Sequence, residues 1–212
     1  MSLYYKQDNP LWGIWHIEES EQELLSMLDI PSFYIDKLKE LKTETRRREW
    51  LASRVLLKEL LGCEKQVVYQ HNGAPVLDDA SFQISFSHTK NYAAVLVAST
   101  SALGIGIDIE TIKPTVLKVR RKFVNEEEER FLAEETLLAQ LLIMWSAKES
   151  MFKAMGVEEV DFRKHLHIEA FLPAASGCIR AFETRTPRRQ CFEIYYQLTD
   201  EFVLTRLTAS VL

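Results

Sequence analysis

Apolar positions recur at helical spacing in TETRRREWLASRVLLKELLG, residues 43–62, where Trp50, Ala52, Val55, Leu56 and Leu60 fall near one face and Gly62 supplies a stop. A second long stretch, LLAQLLIMWSAKESMFKAMG, predicts an amphipathic helix that ends at Gly156. The intervening VLKVRRKF and EEEERFLAEE read as polar helices after Lys113-Pro114. Strand-like runs fill the gaps. KQVVYQ predicts a short strand before the Asn72-Gly73 turn, and FQISFS and YAAVLVAST predict two strands joined by HTKN. SALGIGIDIE follows as a third, its glycines permitting close backbone approach. Past Gly156, HLHIEAFL, CIRAFETR, CFEIYYQL and FVLTRLTAS give four more strands.

A faint repeat runs through this order. WLASRVLLKELLG and MWSAKESMFKAMG share length, patterning and a terminal glycine, and a strand pair ending in VAST has a later counterpart ending in TAS. The expected fold class is therefore α+β, with two similar α+β halves forming a pseudo-dimer. The halves are expected at 1–110 and 111–212.

Composition narrows the function classes. The 212 residues are 47% hydrophobic and 27% charged, with few Gly and Pro, as a chain that fills a core requires. A net charge of -5 excludes a generally basic nucleic-acid coat, so any polyanionic ligand must be met by local Lys and Arg clusters. No apolar run is long enough for a bilayer, and MSLYYKQDNPLWGIW lacks the features of a secretory signal. Cys63, Cys178 and Cys191 lie far apart without metal-ligand spacing and are expected to be buried reduced thiols. The expectation is a cytoplasmic protein with no nucleic-acid or membrane partner.

GIGIDIE carries the most chemistry. On a strand Asp108 and Glu110 share one face, while Ile105, Ile107 and Ile109 point to the other. Two carboxylates side by side repel unless a cation lies between them, and Mg²⁺, or Mn²⁺ in its place, is a hard cation suited to oxygen ligands. The alternative is an edge strand with a solvated acidic face. In WSAKESMFKAMG, Trp145, Glu149 and Lys153 lie along one side of a helix, with Lys148 on a neighbouring face. Glu149 could add a third carboxylate, and Lys148 and Lys153 could meet phosphate oxygens. An ordinary Glu-Lys helix pair is the plainer reading of that segment alone. A metal held by few carboxylates completes its shell with water and substrate phosphates, which points to a phosphate or pyrophosphate substrate.

GIGIDIE followed about forty residues later by WSAKESMFKAMG resembles the signature pair of the 4'-phosphopantetheinyl transferases, and ISFSH resembles that family's intermediate motif. Length and the paired halves are similar to its monomeric surfactin-synthetase-activating branch, which implies a monomer with the active site at the interface of the two halves. The resemblance implies Mg-dependent transfer of 4'-phosphopantetheine from coenzyme A to a serine of an apo acyl or peptidyl carrier protein, releasing 3',5'-ADP. It implies that Asp108, Glu110 and Glu149 hold the metal, that Lys153 and His88 contact the coenzyme A phosphates, and that Glu128 is the general base. Lys39, Lys42 and Arg54 fall where the family binds the 3'-phosphate side. One departure is Gly73-Ala74-Pro75, where many relatives have lysine in place of Ala74. Two basic clusters, Arg46-Arg47-Arg48 and Arg120-Arg121-Lys122, could steer an acidic carrier. Competing readings are a Mg-dependent pyrophosphate hydrolase acting on coenzyme A or a nucleotide, and a coenzyme A-binding module without catalysis.

Overall fold

A computed structural model describes residues 2–209. The chain divides into two compact units, Met1–Thr100 and Ser101–Leu212.

In the first unit, strands β1 (Leu3–Asp8), β2 (Leu11–His16), β5 (Gln83–Thr89) and β6 (Tyr92–Ala98) form an antiparallel sheet in the order β1-β2-β6-β5; β3 (Val67–Tyr69) and β4 (Pro75–Leu77) pair separately. Helices α1 (Glu21–Ser26), α2 (Ile35–Glu40) and α3 (Glu44–Leu61) accompany them. Helix α3 forms where the periodicity places it. Thr43 caps it by accepting from the Arg46 N–H at 3.3 Å, and Gly62 ends it at φ +70°, a left-handed conformation that suits glycine. Its buried face, Trp50, Leu51, Val55, Leu56, Leu57 and Leu60, packs into the core with Trp15, Val95 and Val97. Each large apolar side chain buried this way contributes about 1.5–3 kcal/mol. The β1–β2 hairpin lies outside the predicted elements. LWGIW has no clean alternation because Trp12, Gly13, Ile14 and Trp15 are all buried, so a two-residue period is not visible.

The second unit contains β7 (Gly104–Thr111), α4 (Thr115–Val119), α5 (Glu126–Glu129), α6 (Leu137–Met155), α7 (Phe162–His165), β8 (Leu166–Ile168), β9 (Ser176–Glu183), β10 (Cys191–Leu198) and β11 (Phe202–Ala209). Its five strands form an antiparallel sheet, β7-β11-β10-β9-β8. Strand β10 alternates as expected, burying Phe192, Ile194 and Tyr196 and exposing Cys191, Glu193 and Tyr195. Each unit thus combines an antiparallel sheet with one long helix ending at a left-handed glycine, which is the α+β architecture expected.

Three expectations change. The break falls after Thr100, not Glu110, because β7 pairs along its whole length with β11, from Gly104 opposite Ala209 to Thr111 opposite Phe202. The metal-strand candidate therefore belongs wholly to the second unit. The three cysteines are exposed free thiols, not buried ones: Cys63 follows the α3 stop, while Cys178 and Cys191 lie on the outward face of alternating strands. Of EEEERFLAEE, only Glu126–Glu129 is α-helical.

Helix α6 is less amphipathic than its sequence suggests, since Gln140, Ser146, Lys148 and Ser150 are buried alongside its apolar residues. It lies so close to β7 that a Cβ on Gly106 would land well inside contact distance of the Ser150 carbonyl oxygen, and one on Gly104 would meet the Ala154 carbonyl. Gly106→Ala is accordingly expected to cost about 3 kcal/mol or more, because backbone rather than a flexible side chain would have to move. Urea unfolding measures it, and a loss under about 0.5 kcal/mol would contradict the close packing.

Candidate active site

The glycines on β7 decide where the carboxylates go. Gly104 and Gly106 face α6, and two-residue alternation then directs Asp108 and Glu110 toward the same helix. Ile105, Ile107 and Ile109 are buried on the opposite face. From α6, Lys153 Nζ donates to Asp108 Oδ1 at 2.9 Å and to the Ile107 carbonyl at 2.8 Å. Two turns toward the helix start, Trp145 Nε1 donates to Glu110 Oε1 at 3.2 Å. Glu149 lies between these two on the same side of the helix. Thr205 of β11 pins the assembly, its hydroxyl bonding Ser146 at 2.9 Å and Ser150 at 2.7 Å.

Three carboxylates therefore face one lysine. Burial raises the Glu149 carboxyl from an ordinary 4.5 to about 7, with Asp108 and Glu110 adding repulsion and Lys153 opposing it. Glu110 is raised too, first by burial and then by Asp108, against the Trp145 hydrogen bond and Lys153. Asp108 is 4% exposed, so the solvated acidic face considered from the sequence does not apply. Among the described residues, no three Asp, Glu, His or Cys side chains are drawn tightly enough together to enclose a metal ion as they stand. The donor chemistry nevertheless fits a hard divalent cation: the oxygens are anionic, they repel one another, and Lys153 is the cation at Asp108. A cleft of about 210 Å³ opens beside them, lined by Glu110, Thr111, Lys113, Val116, Leu142 and Trp145.

Two predicted site residues of this unit pair with each other instead. Lys148 is fully buried, and Glu128 is 1% exposed. The Lys148 ammonium reaches Glu128 at 2.8 Å, the Phe123 carbonyl at 2.6 Å and the Phe162 carbonyl at 3.2 Å, which uses all three donors. Burial pushes that ammonium below its ordinary value while Glu128 holds it up. Glu128 also accepts from the Asn125 N–H and the Ile168 N–H, both at 2.9 Å, closing the capping box of α5 and tying it to β8. Lys148 thus has no donor left for a phosphate, and Glu128 is a buried anchor rather than an open base. The sequence marks these two residues but not their partnership, which spans twenty positions.

In the first unit, Lys39 is exposed and pairs with Asp36 at 2.8 Å, and Lys42 is exposed. Arg54 is 3% exposed, contrary to an expected phosphate ligand. Its guanidinium lies 3.9 Å from the Trp50 ring centroid and 4.8 Å from that of Phe86, and it donates to Tyr69 and to Ser53 Oγ at 2.7 Å. The residue therefore locks the β3 hairpin to α3. Of the first arginine cluster, Arg47 holds Glu21 and Arg48 holds the Glu19 and Ile17 carbonyls, so these two are internal bracing, while the exposed Arg46 pairs with Glu49 at 3.1 Å. Arg121 and Lys122 are exposed, and Arg120 approaches Glu129 at 3.5 Å. His88 places Nδ1 3.3 Å from Glu49, a buried carboxylate not singled out from the sequence.

Comparison with known proteins agrees with this arrangement. Residues 104–206 match the 4'-phosphopantetheinyl transferase superfamily. The chain is similar to the 4'-phosphopantetheinyl transferase AcpT of Salmonella typhimurium, 32% identical over 117 residues, 52% of this chain and 60% of that protein. It is also similar to 4'-phosphopantetheinyl transferase psf-1 of Bacillus pumilus, 31% identical over 98 residues, 43% of this chain and 41% of that one. A third relative is 4'-phosphopantetheinyl transferase gsp of Aneurinibacillus migulanus, 27% identical over 145 residues, 66% of this chain and 55% of that one. The chain spans about half the length of the curated relatives it matches.

The raised Glu149 carboxyl has a signed consequence for stability. The folded chain keeps a proton there that the unfolded chain loses between pH 4.5 and about 7, so this group's contribution is present below that window and lost as pH rises through it. In EDTA, Glu149→Gln should raise the Tm above pH 7.5 and leave it nearly unchanged at pH 4.5. A difference independent of pH would refute the assignment.

Proposed function

We propose that this chain, whose residues 104–206 belong to the 4'-phosphopantetheinyl transferase superfamily, moves the 4'-phosphopantetheine group of coenzyme A onto a serine hydroxyl of an apo carrier protein. The serine oxygen forms a bond to the phosphorus bearing the pantetheine as its proton passes to solvent water, the pyrophosphate P–O bond breaks, and 3',5'-ADP leaves with the electron pair. The observation that carries the reading is the convergence of Asp108, Glu110 and Glu149 on one end of β7 and α6, with Lys153 among them.

In this reading Asp108, Glu110 and Glu149 hold Mg²⁺, or Mn²⁺ in its place. Such an ion, when bound, neutralises charge developing on the pyrophosphate oxygens. Lys153 has its own part, since an ammonium already bonded to Asp108 can turn its remaining donor to a phosphate oxygen. Trp145 orients Glu110 through its indole N–H. Glu128 and Lys148 act by fixing α5, α6 and β8, and removing either partner of so buried a pair would cost about 3–5 kcal/mol of stability. His88, Lys39 and Lys42 remain candidates for the coenzyme A phosphates. The exposed Arg121 and Lys122 suit an acidic carrier. The chain is read as a cytoplasmic monomer; among the described residues no helix is long and apolar enough to cross a membrane.

The direct test is the intact mass of an apo acyl carrier protein after incubation with this chain, coenzyme A and Mg²⁺. A gain of one phosphopantetheine arm that EDTA blocks is expected, with 3',5'-ADP appearing only when carrier is present. ADP release without carrier would favour the pyrophosphate hydrolase. Asp108→Ala and Glu149→Ala should each lower transfer at least about a hundredfold while circular dichroism is unchanged. Arg121→Glu should raise the KM for the carrier roughly fivefold and leave coenzyme A binding as it was; equal loss of both would remove the docking role.

A further inference from the structure

Buried contacts of the second unit draw together three segments rich in arginine and lysine. The Lys148 ammonium bonds the Phe123 carbonyl at 2.6 Å and the Phe162 carbonyl at 3.2 Å, so the turn Arg120–Lys122 lies beside α7. Helix α7 is joined in turn to the connection between β9 and β10, residues 184–190. There Thr184 donates its N–H to the His165 carbonyl at 2.9 Å and its hydroxyl to the Lys164 carbonyl at 3.2 Å. The connection is built around the buried Glu183, which accepts from the Thr186 N–H at 2.7 Å and the Gln190 N–H at 3.0 Å. Arg189 adopts a left-handed conformation within it, at φ +45°. Nearby acids are largely spent: Arg120 approaches Glu129 at 3.5 Å, Lys164 approaches Asp161 at 3.5 Å, and Arg185 approaches Glu159 at 3.9 Å. Left over are Arg121, Lys122, Arg163, Arg188 and Arg189, all exposed, whose side chains make no hydrogen bond or ion pair among the described residues. The uncommitted exposed acids of the same region, Glu126, Glu127 and Glu158, are fewer.

We propose that these five cations form one docking surface for an acidic carrier protein, running from the Arg120–Lys122 turn across α7 to the β9–β10 connection. The inference rests on the transferase reading above and adds Arg163, Arg188 and Arg189 to it. The chain carries a net charge of -5, so an acidic partner is repelled by the molecule as a whole. It is drawn in only where positive charge is concentrated and uncompensated. Lys148, Thr184 and Glu183 fix the backbone of the three segments, so little backbone ordering is needed when a partner settles on them. Charges of this kind govern the encounter rate and its salt dependence more than the chemical step.

The experiment is steady-state transfer by the full chain to an apo acyl carrier protein, with coenzyme A saturating and KCl varied from about 20 to 300 mM. For the wild type, kcat/KM for the carrier should fall roughly tenfold across that range as the opposite charges are screened. At low salt, Arg163→Glu should lower kcat/KM about fivefold, and the double variant Arg188→Glu/Arg189→Glu about tenfold, each with kcat within about twofold. Both should flatten the salt dependence, and calorimetric titration should show unaltered affinity for coenzyme A. Wild-type carrier kinetics in either variant would overturn the surface, as would a lowered kcat/KM whose salt dependence is unchanged. Binding of the chain to phosphatidylglycerol vesicles that the variants abolish, with their carrier kinetics intact, would assign these cations to a membrane and overturn it too. Should Arg163→Glu fail to fold, Arg163→Gln takes its place, with an expected loss of about two- to threefold. A wild-type chain that modifies no apo carrier overturns the transferase reading, and this surface with it.

Discussion

The second unit is organised by a backbone-to-backbone approach. Where β7 carries Gly104 and Gly106, helix α6 settles almost onto the strand, and no side chain separates the Ser150 and Ala154 carbonyls from it. Everything chemical at the site follows from that contact. The strand continues on the same face with Asp108 and Glu110, now held against a helix whose side chains are Trp145, Glu149 and Lys153. Without the glycines the helix would stand off, and the carboxylates would be solvated and weakly coupled. With them, burial and mutual repulsion lift Glu110 and Glu149, and Lys153 opposes the rise as the cation beside Asp108.

Holding like charges together costs folding free energy, so the surroundings must be firm. The hydroxyl cluster of Ser146, Ser150 and Thr205 ties α6 to β11, and the Lys148–Glu128 pair ties the other side of the helix to α5 and β8. Both sets are satisfied internally, with the lysine's three donors all used. The helix is fixed on two sides while its third carries the carboxylate cluster. The first unit is braced in the same way: Arg54, Arg47 and Arg48 hold its helices, while Arg46 and His88 both approach the buried Glu49 carboxylate.

Much of this was legible in the sequence. Period and end signals gave α3 and α6 nearly to the residue, since a capping threonine and left-handed glycines are local features that tertiary contacts do not override. The carboxylates on β7, the shared side of Trp145, Glu149 and Lys153, and the α+β class were equally local, depending only on strand and helix periods. The family match over residues 104–206 covers that same segment.

What tertiary structure alone decided was partnership and depth. Nothing in the local pattern distinguishes Lys148, which is buried against Glu128, from Lys153, which reaches Asp108, because both lie on one helix and differ only in which packed neighbour they meet. The same holds for Arg54 and Arg46, one enclosed by aromatic rings and the other exposed at a buried carboxylate. Strand β2 escaped notice because burial on both faces erases the alternation that reveals a strand, and β1 because it is exposed along nearly its whole length; the unit boundary moved because β7 pairs with a strand nearly a hundred residues later. Sequence determines which chemistry the chain can present; contacts between residues distant in the chain determine which of those groups are spent on holding the fold.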